Sequence, residues 1–348
     1  MRLQVDALTL GPHGYGEYTR GLVAALVGLG HDVRLSTILT YSALDSFGPW
    51  GKTCAELLGT HSRPDVRMLI MPPFHFNARR VEGDRHVAVT MVERGTREPG
   101  IVNMLNTMDA VFVPCAYNET LFHKHGVTAP ITRVCPPLAP DLPTTTESDE
   151  SLYYFLSVFE WRNQHTSHKD PGTLIRAYVE EFGSDEPVCL RLKVHNDRAR
   201  IIACLNAIKA ELGVARAPEI EIVQGACNRE EHWRLFQTSD AYVSPHHAEG
   251  WGLPLFEAMG MGLPTIGTGF SGNLDFMHAE NSLLLGYTMD AAKLWANADR
   301  SDLRRRMRWL FENRPQGRAL GRRAREELRA QFTIARTAEM LEEGLKHL

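Results

Sequence analysis

The stretch SPHHAEGWGLPLFEAMGMGLP, Ser244 to Pro264, decides how this chain is read. It holds two glutamates eight positions apart, Glu249 and Glu257, with the glycine turn Gly250–Gly252 between them. DAYVSP, just before it, has the pattern of a short apolar strand. The apolar, Ala- and Met-containing run after the turn has that of a helix. Strand, glycine turn and helix in this order aim backbone N–H groups and the positive end of a helix at whatever lies over the turn. A phosphorylated ligand suits that place. Glu249 is expected in the loop at the pocket floor. Glu257 is expected about one turn into the helix, with its carboxylate open to hydroxyl groups. Phosphate plus hydroxyls describes a nucleotide sugar.

Outward from this stretch the chain reads as two α/β halves. The second half runs LYYFLSVF (strand), PGTLIRAYVEEF (helix), VCLRLKV (strand), ARIIACLNAIKAEL (helix), EIEIV (strand) and REEHWRLFQT (helix). In the first half RLQVDAL is a strand, followed by the glycine loop and helix GPHGYGEYTRGLVAALVGLG. VRMLIM, HVAVT and AVFVP are further strands, with helical segments around GIVNMLNTM and NETLFHKHG. Strands alternating with helices imply parallel, doubly wound sheets. Around residues 137–151 the pattern dissolves into a Pro/Thr/Ser-rich stretch, the best candidate linker. The tail RTAEMLEEGLKHL is an amphipathic helix.

Composition fits a large soluble enzyme of about two domains. Of 348 residues, 43% are hydrophobic and 23% charged, and the net charge of −4 does not suggest a nucleic-acid binder. The six cysteines are scattered without CxxC or zinc spacing, so they read as buried free thiols of a reducing cytosol. The N-terminus lacks a signal-peptide pattern, and no apolar run approaches the ~20 residues of a membrane span. From Asp302 to Arg329 ten arginines face four acids. A solvated helix face paired with nearby acids is the plain reading. Contact with a membrane surface or a polyanionic acceptor is the sharper one. His246 and His247 are adjacent at a strand end, so their side chains point apart and do not chelate a metal together. His123 and His125 read as surface residues near a helix end.

EGWGLPLFE resembles the Glu-x7-Glu motif of retaining GT-B glycosyltransferases, in particular glycosyltransferase family 4 (glycosyl transferases group 1). GTGFSGNLDFM, Gly267 to Met277, is similar to the segment that follows the motif in that family. CNREEHWRLFQTSDAYVSP, from Cys227, resembles the helix and strand that lead into it. The resemblance implies a GT-B fold: two facing Rossmann-like domains, a cleft between them, and a C-terminal helix crossing back to the N-terminal domain. The expected divisions are 1–145 on the acceptor side, 146–330 for the nucleotide sugar and 331–348 for the crossover helix. The implied reaction moves a hexose-type sugar, with retention, from a nucleoside-diphosphate sugar to an acceptor hydroxyl. Neither metal nor cofactor is expected beyond that co-substrate, and the location is cytoplasmic or peripheral to the inner face of a membrane. The acceptor stays open among glycan, lipid-linked glycan, small molecule and nucleic acid. A non-hydrolysing sugar-nucleotide epimerase and a non-catalytic nucleotide-sugar binder of the same fold are the alternatives.

The resemblance also implies roles. Glu249 holds sugar hydroxyls and favours developing positive charge, and Glu257 grips the ribose. Gly250, Trp251, Gly252 and Leu253 form the turn over which the donor sits. Lys169 aligns with the lysine that meets the diphosphate. Here the sequence departs from the family, because the loop is longer, Asp170 replaces the usual glycine and Glu160 stands near the place of the usual basic residue. Arg162 is the expected second cation, with Lys193 as the substitute. In the first half, Gly14 and Gly16 become cleft residues, with Gly16 preferred, although a tight turn needing positive φ explains a glycine there equally well. Tyr15 either contacts an acceptor or packs. Glu93, at the end of HVAVTMVERG, either bonds sugar or acceptor hydroxyls or is a solvated loop carboxylate.

Overall fold

The structure, a computed structural model, describes residues 1–12, 14–41, 43–78, 81, 83–93, 99–145, 151–161, 168–290, 294–346 and 348. The chain divides into two compact units, Met1–Asp141 with Arg329–Leu348, and Leu142–Leu328. Residues just after Asp141 are held to the second unit: the Thr145 amide donates to Met261 O, and Gln237 Nε2 donates to Thr144 O.

The first unit contains β1 (Arg2–Thr9), α1 (Gly14–Gly28), β2 (Asp32–Leu39), α2 (Gly48–Glu56), β3 (Val66–Ile70), β4 (His86–Val89), α3 (Pro99–Leu105), β5 (Ala110–Val113), α4 (Ala116–Lys124) and β6 (Ile131–Arg133). The strands form one sheet in the order β2-β1-β3-β4-β5-β6, all neighbours parallel. Buried on both faces, β3, β4 and β5 read as near-continuous apolar runs rather than alternating ones.

The second unit contains β7 (Tyr153–Val158), α5 (Pro171–Glu181), β8 (Val188–Val194), α6 (Arg198–Leu212), β9 (Glu219–Gln224), α7 (Arg229–Gln237), β10 (Ala241–Ser244), α8 (Leu253–Met261), β11 (Thr265–Thr268), β12 (Leu283–Leu285), β13 (Tyr287–Asp290), β14 (Trp295–Ala298) and α9 (Arg300–Glu312). Its parallel sheet runs β12-β11-β10-β7-β8-β9, with β13 and β14 paired antiparallel beside it in the chain. The chain moves outward from β7 to β8 and β9, then returns to lay β10 on the other side of β7. The switch point therefore falls between β7 and β10, and ligands of open α/β sheets bind beyond the carboxyl ends of such a pair. The core is an aromatic and aliphatic layer: Phe155, Tyr178 and Phe182 from the sheet and α5 meet Leu303, Met307 and Leu310 of α9.

After α10 (Arg314–Gln331), α11 (Ile334–Lys346) returns to the first unit. Leu341 and Leu345 join the core around α1, and Thr337 Oγ1 donates to Cys135 O at 3.0 Å. Gly344 is required there, since a Cβ would come within 2.5 Å of the Phe112 ring. At least four of the ten arginines in the arginine-rich segment pair with acids. Arg304 and Arg308 pair with Glu181, Arg308 also with Glu186, and Arg305 and Arg306 with Asp302. Among the described residues, no helix is long and apolar enough to cross a membrane.

Candidate active site

The switch point of the second sheet carries the decisive pair. β10 ends at Ser244, and the chain runs through His246 and Glu249 into α8. Past β7 it returns through Lys169 into α5. Lys169 Nζ lies 2.5 Å from Glu249 Oε1, and the Glu249 side chain is only 5% exposed. Burial raises the Glu249 carboxyl, but the Lys169 ammonium, together with His246 and His168, outweighs it and holds the group below the usual carboxylate range. The site therefore holds a buried, ionised glutamate with one strong cationic partner.

Asp170 explains how Lys169 is delivered. Its backbone is left-handed, φ +44° and ψ 55°, the region that normally favours glycine. The departure from glycine is tolerated because Asp170 is also the N-cap of α5, its carboxylate accepting from the Thr173 amide at 3.2 Å. Pro171 follows at the first helical position. A short acidic residue thus does two jobs that glycine does one of.

The turn Glu249–Gly252 is braced from the loop after β11. The Glu249 amide donates to Ser271 Oγ at 2.7 Å, and the Gly272 amide donates to Glu249 O at 3.0 Å. A Cβ on Gly272 would sit 2.4 Å from Gly250 O, so the two loops touch backbone to backbone. Gly252 is left-handed, φ +95°, and is the N-cap of α8 with no side-chain hydrogen bond to the helix start. No side chain therefore caps the helix start.

The buried histidine beneath the turn fixes the geometry. His246 is fully buried. Its Nε2 donates to Asn273 Oδ1 at 3.0 Å, and its Nδ1 lies 3.3 Å from the Ser244 hydroxyl, which can donate to it. Asn273 in turn donates to Thr268 O. Burial pulls the His246 pKa down, which keeps the ring neutral. His247 points elsewhere, stacked on Trp295 at 4.6 Å with Nε2 3.7 Å from Asp170. Among the described residues no group of three or more His, Cys, Asp or Glu side chains is placed to hold a metal ion.

Glu257 lies in α8 as the spacing requires, with Oε2 3.2 Å from His232 Nε2 on α7. Its carboxylate is held by a residue for which the sequence offered no cue beyond its helix. Trp251 lies in the turn before α8. Its ring is buried against Phe256 and Phe276, at 5.3 and 5.0 Å, so it packs the core. Gly250 is buried and Leu253, first residue of α8, half-buried. Lys193 is buried in β8 with its ammonium donating to Gly225 O, which ties it to the loop after β9. Glu160 is exposed, and Arg162 lies outside the described residues.

Gly16 and Glu93 belong to the first unit. Gly16 is helical rather than left-handed, and its reason is proximity, not a turn: a Cβ would lie 2.1 Å from Gly11 O. Buried Arg20 clamps the same loop through Leu10 O and Gly11 O and pairs with Glu17. Tyr15 is half-buried and its hydroxyl donates to Met91 O at 3.2 Å, at the end of β4, which is a packing role. Glu93 is exposed, and its carbonyl accepts from the Tyr117 hydroxyl at 3.3 Å.

Residues 218–327 match the family model of glycosyl transferases group 1. No curated protein matches the sequence. Sucrose-phosphate synthase from Thermosynechococcus elongatus is similar in structure, with TM-score 0.72 and 14% identity, covering 99% of this chain and 98% of that one. HepE of Anabaena in complex with UDP-glucose has TM-score 0.70 at 15% identity, with both chains fully covered. TarM of S. aureus, in complex with fondaparinux, alpha-GlcNAc-glycerol and UDP, has TM-score 0.63 at 13% identity, over 81% of this chain and 55% of that one. The fold is GT-B, as the sequence leads one to expect.

Proposed function

We propose that this chain is a glycosyltransferase that moves a hexose-type sugar from a nucleoside-diphosphate sugar to an acceptor hydroxyl, with retention and without a metal. The buried Glu249–Lys169 pair beside the start of α8, which no side chain caps, is the observation that carries the reading. The match of residues 218–327 to glycosyl transferases group 1 supports it, as do neighbours solved with UDP or UDP-glucose.

A departing nucleoside diphosphate gathers negative charge on its phosphates while the sugar gains oxocarbenium character. Preorganised positive charge aimed at the leaving group lowers that barrier. The α8 terminus and Lys169 supply it, and the former is fixed in place by Ser271 and Gly272. Glu249, ionised and rigid, accepts hydrogen bonds from sugar hydroxyls and stabilises the developing positive charge. Glu257 accepts from ribose hydroxyls. Retention follows from the family resemblance of the motif. The donor is the co-substrate and no further cofactor is proposed.

A thermal-shift screen of nucleotide sugars tests this reading. One donor is expected to raise the melting temperature, because a ligand that binds only the folded state stabilises it. Transfer products then report the anomeric configuration by NMR. Donor bound and converted to an epimer without an acceptor would replace the reading with an epimerase. Donor bound with no transfer to any acceptor class would leave a binding protein.

A further inference from the structure

Glu257 does not stand alone in α8. His232 Nε2, on α7, lies 3.2 Å from Glu257 Oε2, across 25 positions of sequence. A carboxylate oxygen only accepts, so the imidazole carries its proton on Nε2 and donates. The two side chains are 24% and 17% exposed, so the pair is partly open to solvent rather than sealed in the core. With Oε2 engaged, Oε1 is left to accept from a ligand hydroxyl.

The imidazole is itself held. Asn228 caps α7 with a reciprocal box: the Glu231 amide donates to Asn228 Oδ1 and the Asn228 amide to Glu231 Oε2, each at 2.9 Å. The His232 amide donates to Asn228 O at 2.9 Å, which ties its residue to the same first turn. One turn on, Phe236 meets the imidazole edge to face, centroids 5.0 Å apart. Phe236 is fully buried and stacks on Tyr242 of β10, the strand that leads into the Glu249 turn, at 5.6 Å and 10° between planes. Helix cap, neighbouring ring and strand thus fix where Nε2 points. Glu257 has a long side chain with several rotatable bonds. Left loose, it would lose that freedom on meeting a ligand, at a cost in affinity.

We propose that His232 is a positioning residue for the nucleotide: it anchors Glu257 Oε2 before the ligand arrives and so makes Oε1 a fixed acceptor for a ribose hydroxyl. This rests on the ribose role given to Glu257 above. The contribution of His232 passes wholly through the carboxylate. Removing the imidazole therefore penalises only ligands that carry ribose hydroxyls. It penalises nothing where Glu257 is absent, because no carboxylate is left to position.

Calorimetric titration of the full chain with UDP, GDP, ADP and CDP, and with the dideoxyribose form of the tightest binder, tests this. Preorganising one rotamer-rich side chain corresponds to about three- to tenfold in affinity. His232→Leu is expected to weaken the ribonucleotide by that factor and to leave the dideoxynucleotide within about twofold. His232→Gln, whose amide nitrogen reaches the place of Nε2, should restore most of the ribonucleotide affinity. In a Glu257→Ala background, His232→Leu should have no further effect. A general disturbance of α7 would instead weaken both ligands alike and persist without Glu257, and either result overturns the proposal. So does unchanged ribonucleotide affinity in His232→Leu, or an equal loss in His232→Gln. In each of these cases wild type still binds, and the proposed function stands. Wild type that binds none of the four nucleotides overturns that function, and the role of His232 with it.

Discussion

Lys169 and Glu249 are 80 positions apart in the chain, yet their charged atoms meet at 2.5 Å, both side chains largely out of water. The pairing follows from strand order: the loops after β7 and β10 converge because those strands are neighbours at the switch point. Removing one partner of such a pair leaves an uncompensated buried charge, at a cost of about 3–5 kcal/mol. Lys169→Ala is therefore expected to destabilise the protein by that order in urea unfolding. The double variant Lys169→Met/Glu249→Leu should recover much of the loss. Additive losses in the double variant would show that the two side chains do not act as a pair.

Acid should weaken this site. The Glu249 carboxyl is held below its unfolded value, so the unfolded chain binds the proton first as pH falls. Its stabilising contribution is present above the ordinary glutamate value of ~4.3 and is lost as pH falls through the lower folded value. His246, also depressed, acts in the same direction from ~6.5 downward, because the buried ring resists the proton that the unfolded chain accepts. Denaturation midpoints should thus decline from neutral pH into acid, and less so in His246→Gln once its own loss is subtracted. A profile flat between pH 7 and pH 4 would contradict the His246 assignment, and one flat from pH 4 downward that of Glu249.

Backbone contact between the two loops makes Gly272 the less replaceable of the two turn glycines. Gly272→Ala places a Cβ 2.4 Å from Gly250 O, an atom that cannot move without moving the turn. At Gly252 the nearest atom is a flexible Leu255 methyl at 3.1 Å, and the cost is mainly that of the left-handed backbone, about 1–2 kcal/mol. Nucleoside-diphosphate affinity should therefore fall further in Gly272→Ala than in Gly252→Ala. The reverse order would mean that the turn is not braced by the β11 loop. In the first unit, Gly16→Ala should disturb the Leu10–Gly16 loop in the same way, seen as faster amide exchange there.

Glu257→Ala should weaken nucleoside-diphosphate binding by roughly 1.5–3 kcal/mol, the worth of a hydrogen bond to a charged group. Calorimetric titration gives the value directly. Unchanged affinity would remove Glu257 from the ribose.

The alternation of strands and helices and the Glu249–Glu257 spacing were legible because they depend on local pattern: apolar strands, glycine turns and capped helices. Lys169 could be placed from its distance to Pro171. Its partner could not, since the pairing depends on which strands become neighbours. The direction of the Trp251 ring was not legible for the same reason. Its place in the motif says nothing of which way the ring turns, and burial against Phe256 and Phe276 won. Gly16 looked like a turn glycine but is a helical one pressed on a carbonyl. Ser271, Asn273 and His246 went unassigned because their value lies in hydrogen bonds across loops. His232 and Glu257 are visible as a pair only once α7 and α8 are packed.

The most direct test follows the donor that binds in the nucleotide-sugar screen. Wild-type protein and Glu249→Ala are incubated with that donor and a panel of acceptors, with chelator present throughout, and NMR records the released nucleoside diphosphate and the new anomeric signal. The account predicts transfer with retained configuration by wild type, and loss of turnover with donor binding largely kept in Glu249→Ala. Inverted product, transfer that requires an added divalent metal, or undiminished turnover by Glu249→Ala would contradict it.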